Sequence, residues 1–265
     1  LSALGQDLLI DPSVPHNHYP LSASKVALSA IPPIPEVHLW PLCLESVPPQ
    51  AVLWLSELEQ ERYHRFVNPL VQQRFLAAHA QLRWILSRYL GRDPAEIVFA
   101  YTAWGKPWLP HCPDLHFNLS HSLNRGLLAL RWGSPVGVDI EWHRPCPVRR
   151  LAQRWFTPAE VAWLARRDPQ EQAAAFFRLW TLREAWGKYG GRGIGAWRDL
   201  QIDPEIPSLV NQPQQGILLP MAGPYSAALV VDPPAAIVTC HPQEELRIES
   251  RDNRDSYSLN PTFFG

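Results

Sequence analysis

This sequence predicts an α+β fold in two lobes, on three observations. Helical periodicity runs over 70–90 and again over 170–189, once in each half of the chain. Short runs with strand alternation accompany each helix. A length of 265 residues, 46% of them hydrophobic, is enough to bury more than one core.

Residues 1–35 are rich in Pro, Ser and Ala and end in IPPIP, which reads as an irregular arm. EVHLWPLCL (36–44) reads as a strand, and a helical pair follows over 49–66 and 70–90. In the second helix Leu70, Phe75, Leu82, Ile85, Leu86 and Tyr89 recur near helical spacing, and Gly91 is a natural stop. EIVFAY (96–101), HFNLS (116–120), GLLALRW (126–132) and 136–142 read as strands. Short polar turns join the last three, so an antiparallel meander is expected. Up-down-up geometry would then bring His121, just after the first of the three, close to Glu141 near the end of the third.

In the second half, Thr157 is an N-cap ahead of Pro158 for a helix over 158–167. The 170–189 helix runs to Gly190-Gly191, and strands are expected at 198–202, 216–219, 225–231 and 236–240. The polar stretch 241–265 carries RDNRDS and reads as a disordered tail. The expected organisation is an arm (1–35), an N-terminal lobe (36–142), a C-terminal lobe (143–240) and a tail (241–265). Direct sequence repetition between the lobes is too weak to define a repeat.

Formal charge is −1, from 24 basic and 25 acidic residues, so the chain lacks the basic excess of a nucleic-acid-binding surface. The four cysteines, Cys43, Cys112, Cys146 and Cys240, form no CxxC pair and read as scattered reduced thiols. No run approaches the roughly 18 apolar residues of a membrane span, and no secretory signal is visible. A cytoplasmic protein is expected, with no membrane and no nucleic-acid partner.

GVDIEW (137–142) carries the first chemical signal. Side chains two apart on a strand share a face, so Asp139 and Glu141 project together and would raise each other's pKa unless a positive group sits beside them. On the 170–189 helix Trp180, Glu184 and Lys188 fall at i, i+4 and i+8 and also share a face. Taken alone, Glu184 and Lys188 make a surface ion pair, and Asp139 and Glu141 a solvated face. Together, Asp139, Glu141 and Glu184 could surround a hard divalent cation such as Mg²⁺, which takes a few carboxylate oxygens and keeps positions for water and phosphate. Lys106 in WGKPWL, Ser120 and His121 in FNLSHS, and Arg62 and Arg74 on the first helices supply cationic and hydrogen-bonding groups suited to phosphate oxygens. The glycines of GGRGIG (190–195) could add backbone N–H groups or simply cap the helix. No GxxxxGK[ST] loop is present.

WGKP, FNLSHS, GVDIE and WTLREAWGK, in this order and spacing, resemble the 4′-phosphopantetheinyl transferases of the larger, surfactin-synthetase-activating type, over about 36–240. The resemblance implies two similar lobes in a pseudo-two-fold arrangement, each a small, mainly antiparallel sheet packed with helices. It implies transfer of 4′-phosphopantetheine from coenzyme A to a serine of an apo acyl or peptidyl carrier protein of a fatty-acid, polyketide or non-ribosomal peptide synthase. The reaction would depend on Mg²⁺ and release adenosine 3′,5′-bisphosphate, and a monomer would hold a complete site. By motif position Asp139, Glu141 and Glu184 would hold the metal, and Glu184 would be the base for the serine hydroxyl. Lys188 would lie at the diphosphate; Ser120, His121, Lys106, Arg74 and Arg62 would contact the coenzyme. Two residues depart from the family pattern: Glu59 stands where relatives often carry Lys, and Arg183 where Lys is commoner. Two alternatives stay open: another Mg²⁺-dependent phosphoester-processing enzyme, or a non-catalytic coenzyme A-binding protein.

Overall fold

Both long helices form, with matching ends. A computed structural model describes residues 36–47, 49–197 and 200–240. The expected arm and tail, and the start of the strand expected at 198–202, lie outside the described residues. Helix α2 (Pro69–Leu90) opens with Asn68 as N-cap and Pro69 in its first turn, and closes on Gly91 in the left-handed conformation. Helix α5 (Pro169–Gly190) repeats the plan, with Asp168, Pro169 and a left-handed Gly191. A short helix precedes each: α1 (Glu57–His64) and α4 (Pro158–Ala165). Both short helices begin with a capping box, Ser56 with Glu59 and Thr157 with Glu160. The helix expected over 49–66 is thus split, because Ser56 caps a new start after a 3₁₀ segment at Pro49–Trp54.

The same glutamates link each short helix to its long one. Glu59 pairs with Arg83 of α2 at 2.6 Å, and Glu160 pairs with Arg183 of α5, all four side chains being buried. The other arm of each guanidinium reaches carbonyls beyond its helix: Ile97 at 2.8 Å for Arg83 and Leu200 at 3.1 Å for Arg183. Glu59 and Arg183, the two departures from the family pattern, are therefore buried framework residues. The strand expected at 96–101 shrinks to β2 (Ala100–Tyr101), paired with β3 (Pro107–Trp108). Ahead of it, Asp93 caps a 3₁₀ turn at Pro94–Glu96, and Arg83 takes the carbonyls of Pro94 and Ile97.

Strands β1 (Glu36–Cys43), β4 (Leu115–Ser122) and β5 (Arg125–Trp132) form where expected. With β11 (Ala236–Thr239) they make a sheet in the order β11-β1-β5-β4, in which only β11 runs parallel to its neighbour. The expected three-stranded meander is corrected at its last member. Strand β6 (Val136–Trp142) leaves β5 and pairs antiparallel with β10 (Tyr225–Val231), which also pairs with β9 (Gln215–Leu219). Apolar burial explains the change. Val136, Val138 and Ile140 pack with Ala227, Leu229 and Val231 against Val37, Leu39, Leu127 and Ala129, forming a core between two sheets that a single sheet would not close. The second half also contains α3 (Val148–Trp155), absent from the sequence reading, and a hairpin of β7 (Gln201–Asp203) and β8 (Ser208–Val210). Separate cores lie under α2 and under α3 to α5, so each lobe is a sheet packed with helices.

Candidate active site

The site begins with a glycine. Gly137 on β6 meets α5 so closely that a Cβ there would lie 2.1 Å from the Ala185 carbonyl and 2.4 Å from the Tyr189 nitrogen. Because Gly137, Asp139 and Glu141 share a face, the flush contact turns both carboxylates toward the same helix. On the other edge of β6, backbone N–H groups of Val138, Ile140 and Trp142 donate to Asn118 Oδ1, Ser120 Oγ and Ser122 Oγ of β4. Polar side chains thus bridge the two sheets where a ladder would otherwise run. The alternation Asn118, Ser120, Ser122 was visible in FNLSHS; its target was not, because the meander reading placed another strand there.

Asp139 is buried, 3% exposed. Its Oδ1 accepts from Lys188 Nζ at 2.6 Å and from Ser120 Oγ at 2.8 Å, while Lys188 Nζ also lies 2.8 Å from Ser120 Oγ. Its Oδ2 is buried with no hydrogen-bond partner. Glu141 accepts from Arg144 at 2.8 Å and from Ser122 at 3.3 Å. Glu184, on the face of α5 that carries Lys188, has its pKa pushed up to about 7 by burial, then by the charge of Asp139, against the pull of Lys188, with Glu141 adding to the rise. The three acids are brought to one place and feel one another. Among the described residues they are not drawn into a ready-made cage of three or more metal-ligating groups. The unpartnered Asp139 oxygen and the charge crowding on Glu184 are what a hard divalent cation would relieve, as long as it kept water or phosphate in its remaining positions.

The ends of β4 and β6 do coincide, although Ser120 and Ser122, rather than His121, reach β6. His121 points the other way, toward a cationic group on the first lobe. Crowding by the protein lowers its pKa although much of the ring is exposed, and His79, Lys188, Arg62 and Arg74 lower it further. Arg62 stacks over the Phe75 ring at 5.2 Å, and Arg74 has a buried Nε with no partner. His79, missed in the sequence, sits 2.8 Å from Glu59. Lys106 lies elsewhere on the same wall. Its ammonium donates to the carbonyls of Lys188 (2.6 Å), Tyr189 (3.1 Å) and Val136 (3.3 Å), holding the end of α5 from the opposite lobe. Desolvation lowers its pKa to about 8. The arrangement therefore faces a cationic and hydroxyl-bearing wall toward a cluster of carboxylates, the pairing needed to hold a metal-bound polyphosphate.

The stretch 135–240 matches the model of the 4′-phosphopantetheinyl transferase superfamily. Among similar proteins, HetI of Nostoc sp., named a 4′-phosphopantetheinyl transferase, is 37% identical over 174 residues, covering 63% of this chain and 73% of the relative. Sfp of Bacillus subtilis, also named a 4′-phosphopantetheinyl transferase, is 31% identical over 204 residues, covering 71% of this chain and 88% of the relative. AcpT of Salmonella typhimurium is 40% identical over 133 residues, covering 50% and 67%. No helix among the described residues is long and apolar enough to cross a membrane.

Proposed function

The chain belongs to the 4′-phosphopantetheinyl transferases, and on that premise we propose that it moves 4′-phosphopantetheine from coenzyme A to a serine of an apo acyl or peptidyl carrier protein. The observation that carries this reading is the meeting of Asp139, Glu141 and Glu184 with Lys188 and Ser120 across β6, α5 and β4. Asp139, Glu141 and Glu184 would hold Mg²⁺, whose positive charge offsets the negative charge that develops on the departing phosphate.

The carrier serine attacks the phosphorus nearer the pantetheine arm. Its new O–P bond replaces the bond to the adenosine-bearing phosphate, which leaves as adenosine 3′,5′-bisphosphate. Glu184 accepts the serine proton. Lys188 and Ser120, already joined at Asp139 Oδ1, donate to the diphosphate. Arg62 and Arg74 form the cationic wall for the coenzyme's phosphates, with the His121 ring beside them as a hydrogen-bonding group, and Lys106 fixes the backbone that carries Lys188. Alignment and charge neutralisation are most of what phosphoryl transfer asks of a protein. The carriers would be domains of fatty-acid, polyketide or non-ribosomal peptide synthases. One chain holds every residue of the site, so a cytoplasmic monomer, working where coenzyme A is found, is the proposed form.

The test mixes the protein, coenzyme A, Mg²⁺ and an apo carrier, and weighs the carrier. A gain of one phosphopantetheine group that is abolished by a chelator and restored by Mg²⁺ is the expected result. Glu184→Gln should lose about 100-fold or more in turnover with an unchanged melting temperature. Absence of any mass gain over several carriers would refute the transfer.

A further inference from the structure

Lys188 stands on the least secure part of its helix. It falls in the last turn of α5, just ahead of Gly190, and Gly191 follows in the left-handed conformation. The carbonyls of a final turn have no partner further along the helix, so such a turn frays unless something outside holds it. The ammonium group assigned to the diphosphate is therefore only as well aimed as this turn is fixed. Lys106 holds the carbonyls of Lys188 and Tyr189, and the close approach of Gly137 sets the distance to β6. Both contacts act on the backbone near the helix axis, where a rotation of the turn moves atoms least.

Tyr189 supplies a longer lever. Successive side chains stand about 100° apart around a helix, and those of Lys188 and Tyr189 straddle β6. On one side Lys188 Nζ reaches Ser120 of β4 at 2.8 Å. On the other the Tyr189 hydroxyl donates to Asp232 Oδ1, just past the end of β10, at 2.8 Å. Rotation of the turn in either direction lengthens one of these two bonds.

Asp232 is itself fixed from several elements. Gln214, ahead of β9, donates to the same Oδ1 at 2.9 Å, and Ser134, between β5 and β6, donates to Oδ2. Arg131 of β5, buried at 3% exposure, donates to the Asp232 carbonyl at 2.7 Å and to the Pro234 carbonyl at 3.3 Å. Burial would raise the pKa of Asp232, yet the bonds from Ser134, Gln214 and Tyr189 and the charge of Arg131 hold it below the usual value, so it stays an acceptor. Burial, then the bond to Asp232 and its charge, pushes the Tyr189 phenol up to about 12, so it stays a donor.

We propose that Asp232 and Tyr189 are positioning residues of the transfer reaction: the carboxylate, through the Tyr189 hydroxyl, sets the rotation of the last turn of α5 and so aims Lys188 at the coenzyme's diphosphate. This rests on the transferase reading above and adds two residues to its machinery.

The experiment is a double-mutant cycle on the full chain, with Tyr189→Phe, Lys188→Ala and the pair, each checked by thermal melting. Transfer is read as single-turnover rates with enzyme in excess of apo carrier, which keeps slow variants measurable, and coenzyme A binding in Mg²⁺ by calorimetry. Tyr189→Phe should slow transfer about tenfold when Lys188 is present and by less than about twofold in the Lys188→Ala background. Coenzyme A affinity should follow the same pattern, weakened in the first background and unchanged in the second. Asp232→Ala should match Tyr189→Phe, while Asp232→Asn, which keeps an acceptor for the phenol, should recover most of the rate. A loss by the same factor in both backgrounds overturns the proposal, because the hydroxyl would then act on the fold at large. So does a Tyr189→Phe rate within about twofold of wild type. Either result leaves the transferase reading standing, since the wild type still loads the carrier; no loading by the wild type removes both.

Discussion

Glu59 shows how a residue that looks misplaced for phosphate binding serves the frame instead. Burial would raise its pKa, yet the hydrogen bond with His79, the charge of Arg83, the Ser56 N–H and the Arg83 hydrogen bond together hold it at about 2, below the ordinary 4.5. The folded state therefore binds this proton less readily than the unfolded chain. The stabilisation is complete above pH 4.5 and is lost as pH falls toward 2, amounting to about 3 kcal/mol. Glu59→Gln should lower stability at pH 7, because Arg83 is left buried without a counter-charge. It should also remove this contribution from the acid limb of the stability profile. Denaturant melts of both proteins from pH 7 to pH 2 measure the difference; curves that stay parallel through the acid range would refute the assignment. Ser56 and Glu59 have the spacing of a capping box, a local signal that the reading of one helix over 49–66 did not use. Arg83 could not be matched to it, because an ion pair between two elements leaves no local spacing to read.

The docking of α5 on β6 makes the site, and it depends on close backbone approach rather than on the acids. With Gly137 at 2.1 Å from a helix carbonyl through its absent Cβ, Gly137→Ala must push α5 away or distort β6. The atoms it meets are backbone, which has no rotamer to yield. A loss of about 3 kcal/mol or more is expected, together with collapse of transfer activity, since Asp139 and Lys188 would no longer meet. A variant with wild-type melting temperature and turnover would show that the contact is not tight. The sequence identified the two partners well, since the strand pattern over 136–142 and the helical period over 170–189 are local. It also placed Gly191 correctly as a stop. It missed α3, whose three arginines mask the apolar positions Val148, Leu151, Ala152 and Trp155. It lengthened β2, whose neighbours Pro94 and Ile97 are claimed by Arg83 instead of a strand.

The path of the chain through the two sheets ties the lobes together. Strand β6, the last segment of the first half, pairs in the sheet of β9 and β10, while β11, the last described strand of the second half, pairs with β1. Each sheet thus contains a strand from the other end of the chain. The apolar layer between them draws Val37, Leu39 and Leu127 from one sheet and Val138, Leu229 and Val231 from the other. This exchange was hidden from the sequence, because Val138 and Ile140 would suit either sheet and the choice is settled only by partners far along the chain. It has a thermodynamic consequence. Unfolding the first lobe alone would strip β11 of its neighbour and expose the shared layer; unfolding the second alone would leave β6 without a ladder. Each Å² of apolar surface exposed in that layer costs about 25 cal/mol, so neither lobe unfolds without destabilising the other. A single cooperative transition is therefore expected, despite the repeated capping boxes, buried Arg–Glu pairs and Pro-to-Gly helices that give each lobe its own frame. Trp84 reports on the core under α2 and Trp163 on the core under α3 to α5. Tryptophan fluorescence samples both cores at once, so its melt should be a single transition that superimposes on far-ultraviolet circular dichroism. Two separated midpoints would mean that the lobes unfold independently and that the exchanged strands are only weakly coupled to their new sheets.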